Sequence, residues 1–146
     1  MGFVEAIKSF YRRYFDFDGR SSRSEYWFSY LFQFLVNVGL WFVLPVFLMA
    51  AGGGFSDPEN ISTPIMAVSG LFSLAALLFI LANIIPGIAI TVRRLHDTDK
   101  SGWMYLICLI PFGGIVLIVF MCIEGTNGEN RFGPDPLGDN MYDTFS

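Results

Sequence analysis

His96 is the only histidine in this chain, and it stands among three cations and two acids. The segment Arg93-Arg94-Leu95-His96-Asp97-Thr98-Asp99-Lys100-Ser101-Gly102-Trp103 therefore holds the residues most able to do chemistry. An imidazole with an ordinary pKa near 6.5 suits a general acid or base, and Asp97 is placed to orient it. His96, Asp97 and Asp99 together offer nitrogen and oxygen ligands. A zinc site, however, needs three or four convergent ligands, and the two cysteines, Cys108 and Cys122, lie in apolar sequence. On one straight helix their fourteen-residue separation is roughly 21 Å, against about 7 Å between the Cα atoms of a disulfide. No nucleophile stands out beside His96, since Ser101 suits a helix cap. No catalytic residue, metal or cofactor is expected, and an enzyme using His96 with Asp97 is kept as an alternative.

The same residues make a coherent structural cluster. Arg93 and Arg94 close a long apolar run, where a helix C-terminus favours cations. Asp97 and Asp99 can pair with them, or with Arg20 and Arg23 from the N-terminal segment. Glu25 is a further partner for an arginine. These residues are read as a charged clamp on three helix ends, or as a contact surface for anionic lipid headgroups.

The elements that must position this cluster are membrane helices. The chain has 146 residues, of which 53% are hydrophobic and only 15% charged, against about a quarter charged in soluble domains. Residues 26–56, 60–92 and 101–123 contain no Asp, Glu, Lys or Arg. About 20 apolar residues cross a hydrocarbon core of about 30 Å. The fold expected is an all-α integral membrane protein with three transmembrane helices, about 26–51, 64–92 and 103–123. They would form a single membrane domain over 1–136, followed by a mobile acidic tail over 137–146. Before them, Phe3, Ile7, Phe10 and Tyr14 recur at helical spacing, which predicts an amphipathic helix over 3–15, lying in the interface or packed beneath the domain. Gly19 is a candidate helix stop.

Polar residues inside the runs are few. Ser29, Gln33 and Asn37 share one face of the first span, and Asn83 lies in the second, near a bend at Pro86. Amides facing lipid are costly, so Gln33, Asn37 and Asn83 are expected to make helix contacts. An oligomeric transporter or channel using them is the other alternative. Against it, no span contains an ionisable residue. Pro111 divides the third run, as a kink in one crossing or as the tip of a re-entrant loop.

Five cations precede the first span, none lie between the first two, and three lie in 93–100. This bias places the N-terminus and the Arg93–Lys100 loop in the cytoplasm. The segment Asn130-Arg131-Phe132-Gly133-Pro134-Asp135-Pro136 reads as a turn in which Arg131 pairs with Asp135 and Phe132 packs at the membrane surface. No broad basic face exists for nucleic acid.

Four motifs in register carry a resemblance over roughly residues 10–136. They are Gly19-Arg20 with Arg23 and Glu25-Tyr26-Trp27; Arg93 to Asp99 with Ser101-Gly102-Trp103; Ile110-Pro111; and Gly125, Gly128 and Asn130 to Pro136. The chain resembles the YhaH/YhaI-like family of small bacterial inner-membrane proteins, a domain of unknown function. That resemblance implies a helical protein of the bacterial inner membrane and brings no activity with it. The expectation is a non-enzymatic component acting through lipid or protein contacts, as a homo-oligomer or with other membrane proteins.

Overall fold

A computed structural model describes residues 1–51 and 63–138, with side chains placed for 1–50 and 66–138. Gly52-Gly53-Gly54, the acidic first loop and the last eight residues lie outside the described residues. The described chain is helical, and its only extended pairing is an isolated bridge between Asn130 and Gly133. Two compact units result, Leu31–Ile84, and Met1–Tyr30 with Ile85–Ser146. The two longest helical runs pass through both.

Helix α1 covers Phe3–Arg12 and buries Ala6 and Phe10, one turn apart. It ends earlier than its periodicity suggests. Gly19 is not its stop; it sits left-handed at φ 78° in the following turn, where Arg13 donates to the Asp18 carbonyl. Helix α2, Arg23–Val38, is continued by a π-helical turn over Gly39–Val43 and by α3, Leu44–Ala51. The wide turn has a local cause. Pro45 cannot donate to a carbonyl one turn back and its ring crowds that carbonyl, so the backbone loosens just before it. The Leu44 amide reaches back to the Gly39 carbonyl.

Helix α4 runs for 35 residues, Thr63–Asp97, through Pro86. At 1.5 Å per residue it is about 52 Å long. Within the Leu31–Ile84 unit, Phe32 and Phe79 meet edge to face at 6.4 Å. Asn37 Nδ2 donates to the Gln33 carbonyl and Asn83 Nδ2 to the Phe79 carbonyl, each one turn back on its own helix. The surface of this unit is apolar: Phe34, Leu35, Phe42, Phe47, Leu71 and Leu78 are each more than half exposed. Water would penalise such a surface and hydrocarbon would not. Arg23–Ala50 and Met66–Asp97 are long and apolar enough to cross a membrane.

The third apolar run is not one continuous helix. It forms a 3-10 segment, Gly102–Leu109, then a break at Ile110–Phe112, then α5, Gly113–Cys122. The two halves pack on one another. Both ends return to the same end of α4. A side chain at Gly102 would meet Val92 and His96, while Arg94 donates to the carbonyls of Met121 and Ile123. The cause is local: Pro111 interrupts the hydrogen-bond ladder, and Phe112 takes a left-handed conformation at φ 65°. Gly113 then lets α5 approach the Ile107 carbonyl, where any side chain would collide.

Candidate functional site: a buried arginine clamp at the end of α4

Adjacent arginines on a helix point about 100° apart, and Arg93 and Arg94 use this to reach different partners. Arg94 bonds the Asp97 carboxylate one turn on. It also donates to the carbonyls of Ser21, Met121 and Ile123. Arg20 comes from the opposite side. Its Nε lies 3.0 Å and its Nη2 2.9 Å from Asp97 Oδ1. Its remaining donors take the carbonyls of Thr126, Gly128 and Gly133 at 2.5, 2.5 and 3.3 Å. One carboxylate therefore serves two guanidiniums, and six backbone carbonyls supply further acceptors. Asp97 is 3% exposed, Arg20 6% and Arg94 1%. Such pairing offsets the cost of burying these three charges.

The loop after α5 is fastened here. The Thr126 amide and hydroxyl both donate to the Asp97 carbonyl, at 2.8 and 3.1 Å. Gly125 lies against the Asp97 carboxylate so closely that a Cβ would overlap it. Asn130 Nδ2 donates to the His96 carbonyl at 2.9 Å and to Thr126 Oγ1 at 2.8 Å.

Arg93 is fully buried on the other side of α4. Its Nη1 donates to the carbonyls of Asp16 and Arg13 at 3.2 and 3.4 Å and lies 3.9 Å from the Asp16 carboxylate. Arg13 holds Asp16 at 2.7 Å. That hydrogen bond is the main reason the Asp16 carboxyl lies below its ordinary range, with the Asp18 amide and the Arg93 charge adding to it against burial. Glu25, expected to meet an arginine, accepts from Ser9 at 2.6 Å and so joins α1 to α2. Arg23 pairs with Glu124 at 3.7 Å on the surface.

His96 and Asp97 do not form a dyad. His96 Nδ1 faces the Gly19 carbonyl at 3.2 Å, and its ring stacks on Phe132 at 3.9 Å. Asp97 is taken by arginines. The expected pair of Arg131 with Asp135 is also replaced: Arg131 bonds Asp99 at 3.0 Å, and its guanidinium lies over Phe132. Phe132, expected at the membrane surface, covers the histidine. Asp135 instead accepts from the backbone amides of Leu137 and Gly128 at 2.9 and 3.0 Å. Ser101 caps the third run by accepting from the Trp103 amide. The role of the 121–133 carbonyls was invisible in sequence, because every residue carries the same group.

Arg20, the Arg93–Asp97 end of α4 and the Thr126–Pro134 loop are thus one constellation, drawn from three of the four motifs that carried the resemblance. A family model described as "Protein of unknown function (DUF805)" matches residues 14–134. The chain belongs to that family. It is 42% identical to inner membrane protein YhaH of Escherichia coli K12 over 126 residues, covering 86% of this chain and 90% of that one. It is 36% identical to inner membrane protein YhaI, covering 88% and 93%. An uncharacterized protein from the same strain, YiiR, is 29% identical over 83% and 86%. No solved structure matches. This DUF805 chain is therefore a relative of bacterial inner-membrane proteins, with apolar helices able to span the bilayer.

Asp135 provides a test of the loop's fastening. Its carboxyl is held below the ordinary range, chiefly by the Leu137 amide and also by the Gly128 amide and Arg20, against burial. A carboxyl with a depressed folded pKa stabilises above its unfolded pKa and loses that contribution as pH falls through the folded value. Protection of the Gly128 amide against hydrogen exchange should therefore hold at neutral pH and decline only below about pH 4. Asp135→Ala should reduce that protection roughly fivefold to tenfold at pH 7, the equivalent of one hydrogen bond.

Proposed function

We propose that this protein is a non-enzymatic component of the bacterial inner membrane that acts through lipid and protein contacts at its cytoplasmic end. The observation that carries this reading is the Arg20–Asp97–Arg94 clamp. Its charges are spent on holding the N-terminal segment, α4 and the post-α5 loop together, which suits a rigid platform better than a reactive centre. His96 has no carboxylate partner among its bonds described above, which weighs against acid–base catalysis. The amides of Asn37 and Asn83 bond their own helices, so no specific observation favours a solute path.

In this reading Arg23–Ala50 and Met66–Val92 cross the bilayer, residues 1–136 act as one membrane domain, and the N-terminus is cytoplasmic by the positive-inside bias. Helix α1 lies in the interface, its exposed Lys8 and Arg12 toward anionic headgroups. The run Gly102–Cys122 enters and leaves on the cytoplasmic side. Ten residues of α5 make only about 15 Å, half a bilayer core. A third full crossing would require that run to straighten. With Cys108 and Cys122 replaced by Ala, Leu137→Cys should resist an impermeant thiol reagent in right-side-out spheroplasts and react after permeabilisation. Labelling without permeabilisation would restore the three-crossing arrangement.

The contact role is tested by crosslinking and affinity capture from native membranes. Lys8→Glu with Arg12→Glu should lose the wild-type lipid and protein crosslinks while membrane insertion is kept. An unchanged crosslink pattern would move the contact surface away from α1. Mass measurement of the detergent-solubilised protein addresses the homo-oligomer that this reading includes.

A further inference from the structure

Ile88, Val92 and His96 lie four residues apart on α4, so they form one stripe about 12 Å long. The stripe lines a cavity of about 660 Å³. Trp103 and Leu106 of the 3-10 segment line it as well, as do Phe17 and Phe132. The stripe is apolar at Ile88 and Val92 and polar at His96. A ligand matching it is an amphiphile, and the cavity falls within the usual size of small-molecule sites.

The polar groups specify the head of that amphiphile. The Gly19 carbonyl facing His96 Nδ1 can only accept, so Nδ1 carries the proton and, in the neutral ring, Nε2 presents a bare lone pair. Nε2 lies on the Gly102 side, where an added Cβ would come within 3.2 Å of it. The residue is only 8% exposed, so this acceptor is aimed into a sheltered place. Asp18 also lines the cavity, and its carboxylate acts electrostatically on the His96 ring. Two acceptors, one of them anionic, call for a cationic hydrogen-bond donor. Ser101 is the complementary donor. Its oxygen accepts from the Trp103 amide, which leaves its hydroxyl proton for an anionic oxygen.

We propose that this cavity binds the phosphoethanolamine headgroup of a membrane phospholipid. The ammonium lies at Asp18 and His96 Nε2, the phosphate at the Ser101 hydroxyl, and the start of the acyl region along Ile88, Val92 and Leu106. This deepens the lipid-contact reading and rests on that end of α4 lying at the membrane surface.

Native mass spectrometry of the full chain in detergent tests it, with equal amounts of phosphatidylethanolamine, phosphatidylcholine and phosphatidylglycerol. Choline keeps the charge and lacks the donors; glycerol lacks the charge. Phosphatidylethanolamine should be retained about tenfold over both, the scale of one charge-assisted hydrogen bond. Asp18→Asn, at an exposed position, should remove the preference without disturbing the fold. His96→Phe should also remove the preference, and Leu106→Trp should lower retention by narrowing the apolar wall. Equal retention of any two of the three lipids that includes phosphatidylethanolamine overturns the proposal. So does a preference that survives Asp18→Asn. Failure of the topology is separable: a cysteine at exposed Phe15 that labels from outside spheroplasts overturns the cytoplasmic placement, whatever the lipid preference in detergent.

Discussion

Asp97→Asn is expected to lower the thermal unfolding midpoint in detergent by on the order of 10 °C. The substitution leaves size and shape nearly unchanged, so the loss is electrostatic. Arg20 and Arg94 are both buried against this carboxylate, and an amide can neutralise neither. Removing one partner of a buried pair costs about 3–5 kcal/mol, because the remaining charge stays buried without compensation, and a few degrees accompany each kcal/mol in a chain of this size. Here two guanidiniums are stranded rather than one. The amide NH2 group would also point a donor at a donor. Arg20→Met combined with Asp97→Asn should cost less than the sum of the single substitutions, a coupling of about 1–3 kcal/mol. Thr126 accompanies the change, since its amide and hydroxyl bond the backbone of residue 97, and its exchange protection should fall in parallel. A midpoint within 2 °C of wild type would mean that the clamp does not hold this end of the protein together.

The clamp was half legible in the sequence. Arg94, Asp97 and Arg20 are charged residues flanking uncharged runs, and opposite charges at an i,i+3 spacing on a helix are neighbours. Their remaining partners had no signature. Six backbone carbonyls satisfy Arg20 and Arg94, and a carbonyl looks the same at every position. The long-range choices were equally hidden. Arg131 has Asp135 four residues away and takes Asp99 instead, because the Asn130–Gly133 bridge turns the loop back toward α4. Asp135 is then occupied by backbone amides. Phe132 reads as a membrane anchor by type, and only this turn puts its ring on His96. The two long apolar helices were legible because their charge-free runs exceed a bilayer's thickness. The π-helical turn before Pro45 had a readable cause in the proline, and nothing marked Gly39 as the residue where it begins. Pro111 marked a break in the third run. Composition could not say whether the chain bends there or turns back, since that depends on one backbone approach.

That approach makes Gly113 and Gly114 a paired test with opposite expected signs. Both are glycines in the first turn of α5, and in an isolated helix alanine would be favoured at either by up to about 1 kcal/mol. Gly114 has nothing within 4 Å of an added Cβ, so Gly114→Ala should be neutral to stabilising by that amount. At Gly113 the added methyl would fall on the Ile107 carbonyl oxygen. A backbone atom cannot rotate away as a side chain can, so the 3-10 segment and α5 must separate. The cost should be about 3 kcal/mol, the upper part of the usual range for overpacking. Separation would also pull Met121 and Ile123 from Arg94, whose guanidinium bonds their carbonyls, so the damage should spread to the clamp. Gly113→Ala should therefore lower the unfolding midpoint while Gly114→Ala holds or raises it. A single crossing kinked at Pro111 makes a different prediction. There the halves diverge, Ile107 and residue 113 have no cause to collide, and the two alanines behave alike. Opposite signs at neighbouring glycines would leave only the folded-back arrangement.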